Sequence, residues 1–441
     1  MSPPTSLILV KAGTLVDGEN IDCSPGAVLL ERDSDKEDKV HVPVGWKILA
    51  AGPLREVESH PLTPRAHIID RLNSVVCPAL VNAHTHLDLT HIGPWGMPES
   101  GGFEHFVSKV RAERKTDPAH IRASVRLGIE ASRRGGVVAV GDISGAAGGV
   151  PQTAPFLEMK LNRFLGTSYI EFFALGNGET RGIEHIRAAI AQSLAQSSPL
   201  CKIGIHPHAP YSVSLNGYRA AIQMHREQGL PICSHVAESL AEREFVTNGT
   251  GPLRNFLESI GIWNGLPEGI GLGKTPAAHI AGLNQAEAIR LVHLNDLSDS
   301  DLAAISPNSI AIYCPRSSQY FRAELAFGPH RYRELISRGI KVALGTDSLM
   351  NLLDQPAQSP RISTWDEMKL LYHRDGTDPR LLLTMATTWG AEAIQIPAEH
   401  FQLAPDLSVI DLIGIMMEGE RCDLATALQS QACPELLLNS K

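Results

Sequence analysis

At 441 residues the chain is long enough for one large domain and a smaller one, and its 43% hydrophobic and 20% charged residues are ordinary for a globular protein. A net charge of −9, with both signs interspersed and no long basic stripe, argues against nucleic acid as a partner. No run of about 18 apolar residues occurs, which argues against a membrane span; seven scattered cysteines without a Cys-x-x-Cys pair argue against a disulfide framework or a thiolate zinc site.

The opening residues 1–10 carry Pro3 and Pro4 and no basic stretch before their apolar run, so no signal peptide is expected. With the cysteine usage, this makes a reducing cytoplasm the expected location. Residues 6–77 read as β-rich. Short apolar runs at 7–10, 27–30 and 47–50 are separated by Gly, Pro and charge, which suggests a small sheet or sandwich. The charge run 33–39 reads as a solvated loop tip.

From about residue 78 apolar strand-like runs alternate with helix-like segments. The first, Pro78-Ala79-Leu80-Val81-Asn82-Ala83-His84-Thr85-His86, ends in two histidines. A helical pattern over 121–134 precedes a strand at 136–142. Further strands are expected at 164–171, 202–206, 231–235, 288–293, 309–314 and 341–347, eight in all. Strands alternating with helices imply βα units and a parallel sheet, and eight of them fit a (β/α)8 TIM barrel. Residues 403–411 return to a strand-like pattern that would rejoin the N-terminal sheet. The expected organisation is therefore a barrel over 78–395 and a small β-sandwich domain built from both chain ends, 1–77 and 396–441.

Strand after strand ends in His, Asp or Glu, and in such a barrel those ends share one mouth. Residues two apart on a strand share a face, so His84 and His86 point the same way, roughly 6–7 Å apart at Cα. Imidazoles so spaced can converge on one metal at about 2.0–2.1 Å. His235, in Cys233-Ser234-His235, and Asp347, in Gly345-Thr346-Asp347, are the further ligand candidates. Three imidazoles and a carboxylate suit one divalent ion, zinc or iron, with a position left for water. Glu238, three residues after His235, can carry a proton from that water to a substrate. The competing account is a first-turn helix glutamate favoured by the macrodipole. His293 could polarise the water or a substrate atom, or be a satisfied buried histidine. His208, in a Pro-rich loop, could contact substrate. Lys202 begins its strand, roughly 20 Å below the mouth at 3.3 Å per residue, which favours one metal over two.

This set of motifs, with Pro207-His208-Ala209-Pro210-Tyr211-Ser212 and Leu291-Val292-His293, resembles the amidohydrolase superfamily in its one-metal aminohydrolase branch of cytosine-, guanine- and adenosine-type deaminases and triazine hydrolases. The resemblance runs over nearly the whole chain. It implies His84, His86, His235 and Asp347 as metal ligands, Glu238 as proton shuttle, His293 beside the attacking water, Asp347 in proton transfer, and His208 as a substrate contact. His84-Thr85-His86-Leu87-Asp88 and Cys314-Pro315-Arg316-Ser317 are similar to a group that includes aminodeoxyfutalosine deaminases, with Asp88 where Glu is usual. Asp88 and Arg316 are accordingly expected to face the substrate. The implied activity is hydrolytic deamination of a purine-like nucleoside or other N-heterocycle, with hydrolysis of another C–N or C–Cl bond as the alternative. A small-molecule substrate and a homodimer are implied as partners. Residues 243–285 read as an insertion near the mouth, serving as a lid, a subunit contact or a plain surface excursion. Trp95 and Trp263 could stack on a planar ring, or simply pack in their loops.

Overall fold

The computed structural model describes residues 7–32, 45–98, 101–286, 288–356, 358–419 and 421–438; the charge run at 33–39 lies outside them. The β-rich start forms strands where the apolar runs fall: Leu7–Val16, Gly26–Arg32 and Trp46–Pro53, paired antiparallel. A further strand, His67–Pro78, lies parallel to the first. Its first half is largely exposed and carries charge, so it shows no apolar run to read.

Both ends of the chain contribute to this sheet. Ser408–Val409 pairs with Trp46–Pro53, Leu412–Met416 pairs with His67–Pro78, and Pro434–Leu436 adds an edge; with the two-residue strand Asp22–Cys23 on Leu7–Val16 the sheet has eight strands among the described residues. The returning strand begins later than the pattern at 403–411 suggests. Pro405 cannot donate to a ladder, and Asp406 takes a left-handed φ of 68°, so a turn occupies the middle of that run.

The eight expected parallel strands all form. Leu80–Thr85, Val137–Ser144, Leu165–Phe172 and Cys201–Pro207 make one four-stranded sheet. Cys233–Val236, Arg290–His293, Ile310–Tyr313 and Lys341–Leu344 make another. Parallel bridges between Ile205 and Ile232 and between Thr85 and Asp347 join them edge to edge, closing a TIM-type barrel. Side chains from six strands, Val81, Ala139, Tyr169, Val292, Ile312 and Ala343, pack together as one buried cluster, as barrel-interior residues do.

The connecting helices follow from their caps. Pro118–Arg134 begins three residues before the expected start because Asp117 accepts from the backbone N–H groups of Ala119 and His120, and Pro118 takes the first helical position. It buries Ile121, Val125 and Ile129, spaced four apart, against the barrel wall. At the opposite end from the mouth, Lys202 donates from Nζ to the Gln395 carbonyl at 2.6 Å. The insertion folds as Leu240–Asn248, Pro252–Ser259 and Pro276–Ala286, and its Phe245, Leu253 and Leu257 pack with Leu175, Ala209 and Tyr211 of the barrel loops in one small core. No helix among the described residues is long and apolar enough to cross a membrane.

Candidate active site

The polar strand ends meet at the mouth. His84 is the penultimate residue of the first barrel strand and His86 stands just beyond its end; their rings are 5.1 Å apart. His84 Nε2 and His235 Nε2 are 3.2 Å apart. Asp347 Oδ1 lies 3.4 Å from His86 Nε2 and 3.7 Å from His84 Nε2. All four residues are buried. Burial drives His86 and His235 well below the ordinary imidazole range, the nearby Asp347 charge opposing this for His86 only in part. Burial pushes Asp347 upward, but the imidazoles of His84, His86 and His293 outweigh it and hold the carboxyl below its usual range. Imidazole nitrogens turned on one another beside a carboxylate are the donor set that a divalent transition metal requires, so these residues fit one.

Across from this set, Glu238 Oε1 lies 3.6 Å from His293 Nε2. Burial, then the charges of Asp347 and Glu242, raise the Glu238 carboxyl well above the ordinary carboxylate value. Burial lowers His293 to about 3, so the ring is neutral. A buried carboxyl inclined to keep its proton, 3.6 Å from a neutral imidazole, is placed to hold and pass one.

Backbone strain aims these groups. Ala237, His293 and Asp347 adopt φ of 57°, 74° and 59°, the left-handed region that L residues avoid. Each is held by neighbours. Glu242 accepts from the backbone N–H of Ala237 at 3.2 Å and of Glu238 at 2.7 Å. His330 Nε2 contacts the His293 carbonyl at 2.7 Å. Thr85 donates to the Asp347 carbonyl, and Ser317 donates to Asp347 Oδ2 at 2.7 Å.

A cavity of about 510 Å³ opens over this floor. Phe103, Phe106 and Val110 form one wall, and Phe256, Leu257 and Ile262 of the insertion form another. His208 lines it, with Nδ1 2.7 Å from Ser212 Oγ. Burial lowers its pKa. His206 is turned inward, its Nδ1 2.8 Å from the Cys233 carbonyl.

Two expected substrate contacts stand elsewhere. Residues Leu87–Ile92 coil into a 3-10 helix that breaks the strand alternation and turns Asp88 beneath Arg114, whose Nε is 3.0 Å from Asp88 Oδ2. Arg114 lines the cavity and Asp88 does not. Arg316 donates from Nε to Glu367 at 2.6 Å and lies 3.3 Å from Asp354, so carboxylates occupy its guanidinium. It borders a separate, wider cavity that shares Phe103 and Glu238. Of the motif Cys314-Pro315-Arg316-Ser317, it is Ser317 that reaches the site. Trp95 packs near Phe106, and Trp263 packs on Phe245 and Arg254; neither lines the cavity.

A TIM-type barrel that gathers three histidines, Asp347 and a buried Glu238 at its mouth has the scaffold of a hydrolase. The chain belongs to the amidohydrolase family, whose model matches residues 75–426, as its motifs led one to expect. It is similar to an aminodeoxyfutalosine deaminase of Deinococcus radiodurans, 28% identical over 371 residues that cover 80% of each chain. A 5-methylthioadenosine/S-adenosylhomocysteine deaminase of Nitratidesulfovibrio vulgaris is 27% identical over 397 residues, covering 85% of this chain and 80% of that protein. The fold matches that of a crystal structure of Helicobacter pylori aminofutalosine deaminase, with a TM-score of 0.74 at 20% identity over 99% of each chain.

Proposed function

We propose that the protein is a metal-dependent aminohydrolase that deaminates a purine-like nucleoside and releases ammonia, with aminodeoxyfutalosine the first substrate to try. One observation carries this reading: three histidines and Asp347 converge at the mouth, and the buried Glu238 lies beside Asp347 and His293. His84, His86, His235 and Asp347 would hold one divalent ion, zinc or iron. When bound, that ion supplies Lewis acidity, which brings the pKa of water toward roughly 7.

The chain's own residues do the rest. Glu238 Oε1 moves a proton between the attacking water and a ring nitrogen of the substrate, and burial keeps its affinity for that proton high. His293 Nε2, 3.6 Å away and neutral, orients the water. Ser317 keeps Asp347 aimed. His208 and the apolar walls hold the planar base. The same reading takes 78–395 as the catalytic barrel and the strands of 1–77 and 396–441 as a small β-sandwich beside it.

The test is ammonia release by metal-loaded protein from a panel of aminopurine nucleosides, including aminodeoxyfutalosine, with chlorotriazines and cyclic amides alongside. Turnover of a nucleoside supports the reading. Turnover confined to chlorotriazines or amides would move the leaving group, and no turnover of any kind would overturn it.

A further inference from the structure

One buried carboxylate at the mouth is left unused by this chemistry. Glu171, near the end of the third barrel strand, is 1% exposed and lines the cavity. Its Oε2 is engaged twice, by Arg114 Nη1 at 3.1 Å and by the Ala146 backbone N–H at 2.9 Å. Its Oε1 makes no hydrogen bond among the described residues: His208 Nε2 stands 3.8 Å away and His206 Nε2 4.0 Å, both beyond bonding distance. Because Glu171 lines the cavity, this oxygen is open to a donor from a bound ligand.

Arg114 follows the helix Phe103–Glu113, whose Phe103, Phe106 and Val110 wall the cavity. Its guanidinium contacts both Asp88 and Glu171, so one cation ties that wall to the first and third barrel strands. Two carboxylates against one guanidinium leave an excess of acceptors, which calls for a neutral donor rather than an anion. Glu171 also lies at a telling place. Its Oε1 is separated from the metal-ligating set by one imidazole, that of His208, whose ring is 5.1 Å from His235. Glu171 and the floor line the same cavity, so a nucleoside with its base on the floor would have its sugar elsewhere in that cavity, within reach of such a side chain.

We infer that Glu171 is a substrate-binding residue whose Oε1 accepts from the hydroxyls of a ribose-like diol, with Arg114 as its positioning residue. The inference rests on the nucleoside reading above. It predicts that the site discriminates between ribosides and deoxyribosides, a choice that none of the metal ligands can make. No covalent step is involved: the hydroxyl donates and the carboxylate accepts.

The experiment compares an aminopurine ribonucleoside with its 2′- and 3′-deoxy analogues on wild type, Glu171→Met and Arg114→Lys, all metal-loaded. Both ammonia release and calorimetric binding are read. A charge-assisted hydrogen bond implies a drop of roughly 10–100-fold in kcat/KM on removing a hydroxyl from the wild-type substrate, carried mainly by KM. In Glu171→Met the ribo/deoxy ratio should fall to near one, and Arg114→Lys should keep part of it. Equal losses by Glu171→Met on all three substrates, or a wild type indifferent to the hydroxyls, would overturn the inference. Should wild type deaminate none of them, the nucleoside-deaminase reading fails, and the calorimetric ribo/deoxy ratio alone decides the role of Glu171. If Glu171→Met does not fold by circular dichroism, Glu171→Gln replaces it, with a narrowed ratio expected and an unchanged one refuting.

Discussion

His330→Phe isolates the strain at the site. His330 Nδ1 accepts from the Tyr332 backbone N–H at 3.0 Å, so the ring hydrogen sits on Nε2 and is donated to the His293 carbonyl at 2.7 Å. Burial lowers the His330 pKa to about 4, which keeps this neutral tautomer at pH 7. The ring also stacks on Tyr313, 3.7 Å between centroids. Phenylalanine retains that stacking and deletes both hydrogen bonds, leaving a buried N–H and a buried carbonyl unpaired. Each such loss costs about 1–3 kcal/mol, so the pair should cost about 2–6 kcal/mol. The freed carbonyl also lets His293 relax from its φ of 74°, a conformation that costs about 1–2 kcal/mol for an L residue. Relaxation moves the imidazole away from Glu238, and a displacement near 1 Å is worth about 100-fold in rate. Urea denaturation reads the first effect and single-turnover ammonia release the second. Wild-type stability together with a wild-type rate would show that His330 does not hold His293 in place, and the reasoning would fail.

Three further predictions address other parts of the site. Burial raises Asp142 to about 7, although its oxygens accept from Leu87 N–H and Ser168. A folded value above the unfolded one, ordinarily near 3.8, favours the protonated form. The contribution to stability is therefore full below about pH 4 and is lost as pH rises through 7, up to about 4 kcal/mol. Asp142→Asn should flatten the fall in Tm between pH 5 and 8, and an unchanged slope would contradict the assignment. Glu238→Gln should lower ammonia release by about 10²–10⁴-fold while metal content stays at the wild-type level, since the amide cannot shuttle the proton; a smaller loss would assign that step to another group. Ser317→Ala removes the 2.7 Å hydrogen bond to Asp347 and should weaken metal affinity by about 10–100-fold in a chelator competition, with the fold intact by circular dichroism.

Much of the barrel is legible from local pattern alone. Eight apolar runs match eight strands, and the histidines at their ends gather at one mouth because parallel βα units all run the same way. The proposed ligand set is readable for the same reason: each member lies at or just beyond the end of a strand. The polar groups around it are harder to read. Glu242 and Ser317 lie on helices beyond the strands, and His330 lies in a loop, so each acts through a fold-dependent contact that no spacing announces. Glu171 did carry a signal, as an acid at the end of an apolar strand, but without Arg114, 57 residues away in sequence, nothing distinguishes it from its neighbours. Asp88 and Arg316 go the other way. Both sit in motifs that carry the family resemblance, and both are turned into buried ion pairs, one by a 3-10 helix and the other by Glu367, a residue remote in sequence.

The central claim is that four side chains from distant parts of the chain share one divalent ion. Elemental analysis of protein purified without chelator, beside His235→Ala and Asp347→Asn, measures this directly. One transition-metal ion per wild-type chain, lost from both variants together with ammonia release, is the predicted result. Metal-free wild type that still releases ammonia, or variants that keep a full complement of the ion, would contradict it.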